Sequence, residues 1–142
     1  MTGRPLPIGP ALHVLHVDDH AINRRLVREI LGCFGHEVTD VGSGDEALDL
    51  ARHRAFDLVL MDINMPGMSG IEVVRRLSAI PCWDRDTPVI ALTSEVSRTL
   101  SDYIALGFSG YVPKPTTIAE LMQAVDQCVK KHAAGPLVRR VA

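Results

Sequence analysis

Four short segments each end an apolar run with a residue able to do chemistry. They are His16-Val17-Asp18-Asp19, Leu60-Met61-Asp62, Ala91-Leu92-Thr93 and Tyr111-Val112-Pro113-Lys114-Pro115. If the runs are parallel strands, their carboxyl ends gather at one edge of a sheet. That edge then holds three carboxylates, a hydroxyl and an ammonium. The set suits a divalent cation and a phosphoryl group. The cation offsets carboxylate repulsion, and the hydroxyl and ammonium meet phosphoryl oxygens. Mg²⁺ prefers a few carboxylates, several waters and phosphate oxygens, so strand-end carboxylates fit it better than they fit Ca²⁺, which takes about six to eight ligands.

Each residue also has a plainer reading. Asp18 or Asp19 could cap the following helix, where negative charge is favoured. Thr93 could be the last β-branched residue of its strand, and Lys114 a surface lysine in a proline turn. The two flanking prolines would still restrict the backbone and aim that lysine. All of them together, in order and each at a strand end, are a specific signal.

The elements needed to position them follow from patterning. Apolar runs at Leu12–Val17, Glu37–Val41, Asp57–Met61, Val89–Leu92 and Gly110–Val112 read as strands. Between them lie helices over Ala21–Phe34, Ser43–Arg54, Ser69–Ala79, Ser97–Leu106 and Thr117–His132. The first places Ile22, Leu26, Val27, Ile30, Leu31 and Phe34 at helical spacing. Capping boxes open three helices: Ser43 with Glu46, Ser69 with Glu72, and Thr117 with Glu120. Gly35 and Gly107 stop two others. The fourth helix has the weakest apolar face. The strand–helix unit thus occurs five times. It predicts an α/β fold with a doubly wound, five-stranded parallel sheet covered on both faces and linked by right-handed crossovers. In such sheets ligands sit beyond the carboxyl ends of the strands, near the topological switch point.

The 142 residues are 46% hydrophobic and 23% charged, which fits one packed domain. Residues 1–10 carry three prolines and two glycines and read as a lead-in or linker; 11–132 form the domain, and 133–142 read as a flexible tail. A net charge of −2 with no basic face argues against nucleic-acid binding. No run approaches 18 apolar residues, and no signal-peptide core opens the chain, so no membrane contact and a cytoplasmic location are expected. Cys33, Cys82 and Cys128 form no Cys-x-x-Cys pair, so neither zinc nor a disulfide framework is indicated. Cys33 and Cys128 fall on apolar helix faces and read as small core residues. His13 and His16 read as core or satisfied histidines of the first strand, His20 as lining the rim of the acidic site, and Trp83 as tucked back against the body.

With these motifs in view, the sequence resembles the receiver domains of two-component response regulators, with the flavodoxin-like receiver fold. The resemblance covers about residues 11–132. It rests on Val17-Asp18-Asp19, on the run from Leu60 to Gly70, on Ala91-Leu92-Thr93-Ser94, on Gly107-Phe108-Ser109-Gly110-Tyr111 and on Lys114-Pro115. It implies that Asp62 is the phosphoacceptor. It implies that Asp18, Asp19, Asp62 and the backbone carbonyl of Asn64 hold Mg²⁺, and that Thr93 and Lys114 contact the phosphoryl group. Tyr111 matches the aromatic that changes rotamer with Thr93, and Asn64 and Glu95 match positions that tune phosphoryl lifetime. The run from Asp18 to Asn23 looks most like receivers attached to hybrid histidine kinases. The implied partners are a phosphohistidine donor, either a histidine kinase or a histidine phosphotransfer domain, and a downstream protein docking on the fourth helix, fifth strand and fifth helix. A monomer or weak dimer is expected, with no catalysis beyond its own phosphorylation and dephosphorylation.

Two other functions compete. A small-molecule phosphatase or phosphotransferase would use Asp62 as nucleophile, but Asp62 is followed by Ile63-Asn64-Met65-Pro66, which lacks the second acid of haloacid-dehalogenase-type phosphatases. A docking module without phosphorylation is opposed by the intact set of Asp18, Asp19, Asp62, Thr93 and Lys114. Both a stand-alone regulator and the receiver of a hybrid kinase fit the chain; kinase activity would belong only to a larger hybrid.

Overall fold

The computed structural model describes residues 11–114 and 117–127. Its elements are β1 (His13–Val17), α1 (Ala21–Cys33), β2 (Glu37–Val41), α2 (Gly44–Ala51), β3 (Leu58–Asp62), α3 (Gly70–Leu77), β4 (Val89–Thr93), α4 (Leu100–Ala105) and β5 (Gly110–Pro113). Residues 118–127 are helical and form α5. The lead-in, the tail and the expected end of the last helix lie outside the described residues, as does Cys128.

The strands form one parallel sheet in the order β2-β1-β3-β4-β5. The chain runs outward from β1 to β2, then crosses back to β3, so the switch point lies between β1 and β3. There the carboxyl ends of the two strands diverge and leave a crevice. Alternation splits the apolar residues between two layers. Leu15, Val17, Val59, Met61 and Ala91 pack on one face with residues of α2 and α3. Val14, Leu58, Leu60, Ile90, Leu92 and Val112 pack on the other with Val27, Leu31, Leu121 and Val125. Every residue of β3 and β4 is buried, as central strands of a doubly covered sheet must be.

Helix starts follow local hydrogen bonding. Ser43 and Ser69 accept from the N–H groups of Glu46 and Glu72. The reciprocal halves of those boxes differ from expectation. Glu46 takes Gly42 N–H and the Ser43 hydroxyl, while Glu72 turns to Arg75 and Arg76. The Thr117–Glu120 box is complete. The fourth helix starts at Leu100, not Ser97, because Thr99 and Asp102 form a full capping box there. Arg98 pairs with Glu95 just before it.

Two other expectations are corrected. Cys33 is exposed, because α1 buries only Val27 and Leu31. Ile22 and Leu26 are 83% and 53% exposed, so the apolar face of α1 is wider than the surface that covers it. His13 takes the second of its two readings: it is exposed, at the start of its strand, and satisfied by Glu37 at 2.7 Å. His16 and Trp83 are buried as expected.

Candidate functional site

The four strand ends meet at the carboxyl edge. β1 ends at Val17, and its ladder continues one step as Asp18 N–H donates to Val41 O at 3.1 Å. Arg24, one turn into α1, donates to the Asp18 carbonyl at 2.7 Å and to Asp40 at 3.2 Å. It ties the acidic turn to β2, a role that spacing alone did not show. Asp18 is buried, and Asp19 is partly buried.

Asp62 closes β3 and is 1% exposed. Its backbone is held from behind by α3. A Cβ on Gly70 would stand 2.3 Å from the Asp62 carbonyl oxygen and 2.9 Å from Met61 Cγ, so this approach requires glycine. Gly70 N–H also donates to Ile63 O at 3.0 Å. Gly67, at φ +80°, turns the preceding loop.

Lys114 follows β5, and its N–H donates to Thr93 O at 2.7 Å. This places its ammonium 3.0 Å from Asp62 Oδ1 and 3.8 Å from Asp18 Oδ2. Asn64 N–H donates to the same Asp62 oxygen at 3.3 Å. Asp62 Oδ2 is buried without a partner. Burial pushes the Asp62 carboxyl above its ordinary pKa, and the Lys114 hydrogen bond and charge oppose that rise.

Thr93 is fully buried, and its hydroxyl accepts Glu95 N–H at 2.9 Å. The Glu95 carboxylate is held by Arg98. Tyr111 is 37% exposed, with its ring stacked on Tyr103. His16 sits beneath Asp18, its Nε2 3.7 Å from Asp18 Oδ2. Burial drives its pKa down to about 4 against the pull of Asp18, so the ring is neutral at pH 7. That proximity was hidden in the sequence, where His16 looked only like core.

Asp18, Asp19, His20 and Asp62 each bring a ligand-capable atom within 4.8 Å of the others. Two of the carboxylate oxygens, Asp19 Oδ1 and Asp62 Oδ2, are buried without a hydrogen bond. Carboxylates packed this closely, two of them with an oxygen that makes no hydrogen bond, favour a cation, and carboxylate oxygens are ligands that Mg²⁺ selects. The residues therefore fit a hard divalent ion. Among the described residues, no helix is long and apolar enough to cross a membrane.

Comparison with known proteins agrees with this geometry. Residues 14–126 match the family model described as the response regulator receiver domain. The chain is 36% identical over 122 residues to the sensor histidine kinase AruS of Pseudomonas aeruginosa, covering 82% of this chain and 12% of that protein. It is 32% identical over 118 residues to the aerobic respiration control sensor protein ArcB of Escherichia coli, covering 83% and 15%. The chain thus spans a small part of the sensor kinases it matches. Among solved structures it resembles the chemotaxis protein CheY4 of Vibrio cholerae, with a TM-score of 0.72, 32% identity, and coverage of 84% of this chain and 99% of that one. It also resembles the receiver domain of a sensor histidine kinase from Pseudomonas aeruginosa PAO1, with a TM-score of 0.75, 27% identity, and coverage of 85% and 99%. That structure carries a magnesium ion in its active-site cleft.

Proposed function

The chain belongs to the response regulator receiver family, the receiver domains of two-component systems, and on that premise we propose that it takes a phosphoryl group from a phosphohistidine onto Asp62. Receiver domains are in general phosphoacceptors and not enzymes acting on other substrates. The observation that carries this reading is the asymmetry of the Asp62 carboxylate. One oxygen is held by Lys114 and Asn64, and the other is buried without a partner.

A carboxylate oxygen of Asp62 attacks phosphorus, the P–N bond to the donor imidazole breaks, and the leaving nitrogen takes a proton from solvent. The product is an acyl phosphate on Asp62. The repulsion between carboxylate and phosphoryl dianion is the main obstacle. Lys114 offsets it with an ammonium already beside the reacting carboxyl. When bound to Asp18, Asp19, Asp62 and the Asn64 carbonyl, Mg²⁺ would supply further charge stabilisation. The Thr93 hydroxyl, which accepts from Glu95 and still has its own proton to give, turns to a phosphoryl oxygen. Tyr111 then moves inward, and the α4-β5-α5 surface is biased toward a protein partner. Asn64 and Glu95, at the mouth of the site, set how readily water reaches the acyl phosphate.

The same chemistry serves a stand-alone regulator and the receiver of a hybrid histidine kinase, with residues 11–132 as the domain and 1–10 and 133–142 as its flanks. A histidine kinase or phosphotransfer domain in the cytoplasm is the donor. The test is intact mass after incubation with phosphoramidate, with and without Mg²⁺, for the wild type and Asp62→Asn. A Mg²⁺-dependent gain of one phosphoryl group in the wild type alone is expected. An acid-labile phosphoryl group on the Asp62→Asn protein would refute the assignment. Failure of the wild type to bind beryllofluoride would favour a docking module.

A further inference from the structure

We propose that His20 is a nitrogen ligand of the cation site, so that this receiver favours later first-row divalent ions such as Co²⁺ over Mg²⁺ more than an all-oxygen site would. The proposal rests on the reading that the acidic edge holds a divalent cation.

His20 is the N-cap residue of α1, with extended backbone and no side-chain cap bond. Its imidazole is therefore not used to start the helix. It turns to the acidic pair instead. Nδ1 stands 3.1 Å from Asp19 Oδ1 and 3.4 Å from Asp18 Oδ1. Two adjacent ligands on an octahedral ion, with bonds of about 2.1 Å, stand about 3 Å apart. Both separations are close to such an edge. The His20 N–H donates to Asp18 Oδ1 at 2.9 Å, which fixes that carboxylate relative to the ring. A second feature belongs to the same cluster: Asp62 brings a ligand atom within 4.8 Å of those of Asp18, Asp19 and His20, and its buried Oδ2 has no partner. Lys114 approaches Asp62 and Asp18 through other oxygens, Asp62 Oδ1 and Asp18 Oδ2, and so leaves Asp18 Oδ1 to the His20 side.

Ligand type then decides the metal. Carboxylates and water suit Mg²⁺ and Mn²⁺, whereas imidazole binds later first-row ions more strongly and adds little for Mg²⁺. An imidazole beside two carboxylates makes a mixed nitrogen–oxygen set, with the exposed side of His20 open to solvent ligands.

The experiment is pulsed electron paramagnetic resonance of Mn²⁺ bound to the full chain at about pH 8, where free imidazole is neutral. The wild type, His20→Asn and Asp62→Asn are compared, with Mn²⁺, Co²⁺ and Mg²⁺ affinities measured by calorimetry. The expected result is a directly coupled imidazole nitrogen in the wild type, absent in His20→Asn. The Co²⁺-to-Mg²⁺ affinity ratio should fall about tenfold in that variant while Mg²⁺ binding is kept. Equal Mn²⁺ binding with no coupled nitrogen in either protein overturns the proposal and leaves a carboxylate-only site. Mn²⁺ binding that ignores Asp62→Asn overturns the proposal differently, because the acidic edge is then not the cation site. Thermal melting of each variant separates lost ligation from lost fold.

Discussion

The ring of Tyr103 lies against the ring of Tyr111, with centroids 4.9 Å apart and planes 26° apart. Tyr103 also meets Phe108 edge-on at 5.7 Å. It is the one buried residue of α4, while Leu100 and Ile104 are about half exposed. The helix is thus anchored to the body through a side chain that touches the aromatic expected to move. Any inward swing of Tyr111 must remake the contact that holds α4. The Tyr103 hydroxyl is buried without a partner, so the anchor carries an unsatisfied polar group.

The Tyr103 variants should separate these effects. Tyr103→Ala loses core burial and the stack and should cost about 3–5 kcal/mol. Tyr103→Phe keeps the stack and removes the orphan hydroxyl, so it should be neutral or stabilising by about 1 kcal/mol. Urea denaturation reads both. Hydrogen exchange of the α4 amides should rise in the alanine variant above what the global loss explains.

Lys114→Ala should keep the fold and slow phosphorylation by phosphoramidate about a hundredfold or more, as expected for removing a preorganised charge from a transferring group. The ammonium lies 3.0 Å from Asp62 Oδ1, so its loss also leaves a buried carboxylate less compensated. Initial rates at saturating Mg²⁺ check this.

Asp62→Asn should abolish phosphoryl uptake yet stabilise the cation-free protein by about 1 kcal/mol. Burial and Asp18 both disfavour the charge that the substitution removes. Mg²⁺ should raise the melting temperature of the wild type and have little effect on Asp62→Asn, because only the state that binds the ion is stabilised. Paired melting curves with and without Mg²⁺ measure both.

Gly70→Ala sets two effects against each other. Alanine favours the helix by about 1 kcal/mol. Its Cβ would meet the Asp62 carbonyl at 2.3 Å, and backbone cannot move aside cheaply. The clash wins, and a net loss of about 2 kcal/mol or more is expected, with slower phosphorylation because Asp62 is displaced.

His36 gives a pH dependence. Its Nδ1 accepts Leu12 N–H at 3.1 Å, and burial holds its pKa below the usual imidazole value. As pH falls through about 6.5, the unfolded chain takes up the proton first, so this contribution to stability is present above that pH and lost below it. The stability difference between the wild type and His36→Ala should shrink from about pH 7.5 to about pH 5.5 in denaturation curves.

Much of the architecture was legible in the residues. Continuous apolar runs mark central strands because both faces of a parallel sheet are covered. The strand-end Asp18, Asp19, Asp62, Thr93 and Lys114 were legible because parallel strands necessarily bring their carboxyl ends to one edge. The caps at Ser43, Ser69 and Thr117 could be read because they are contacts within a single turn. Tertiary structure alone decided the rest. Whether Ile22 and Leu26 are covered depends on what packs over α1, and helical periodicity describes only the helix itself. The start of α4 turned on Thr99 against Ser97, two residues with similar local capping chemistry. The closeness of Gly70 to Asp62, of His16 to Asp18 and of Tyr103 to Tyr111 depends on how separate elements dock. Spacing along the chain carries no record of that docking, because side-chain distances of a few ångströms arise only once the core has packed.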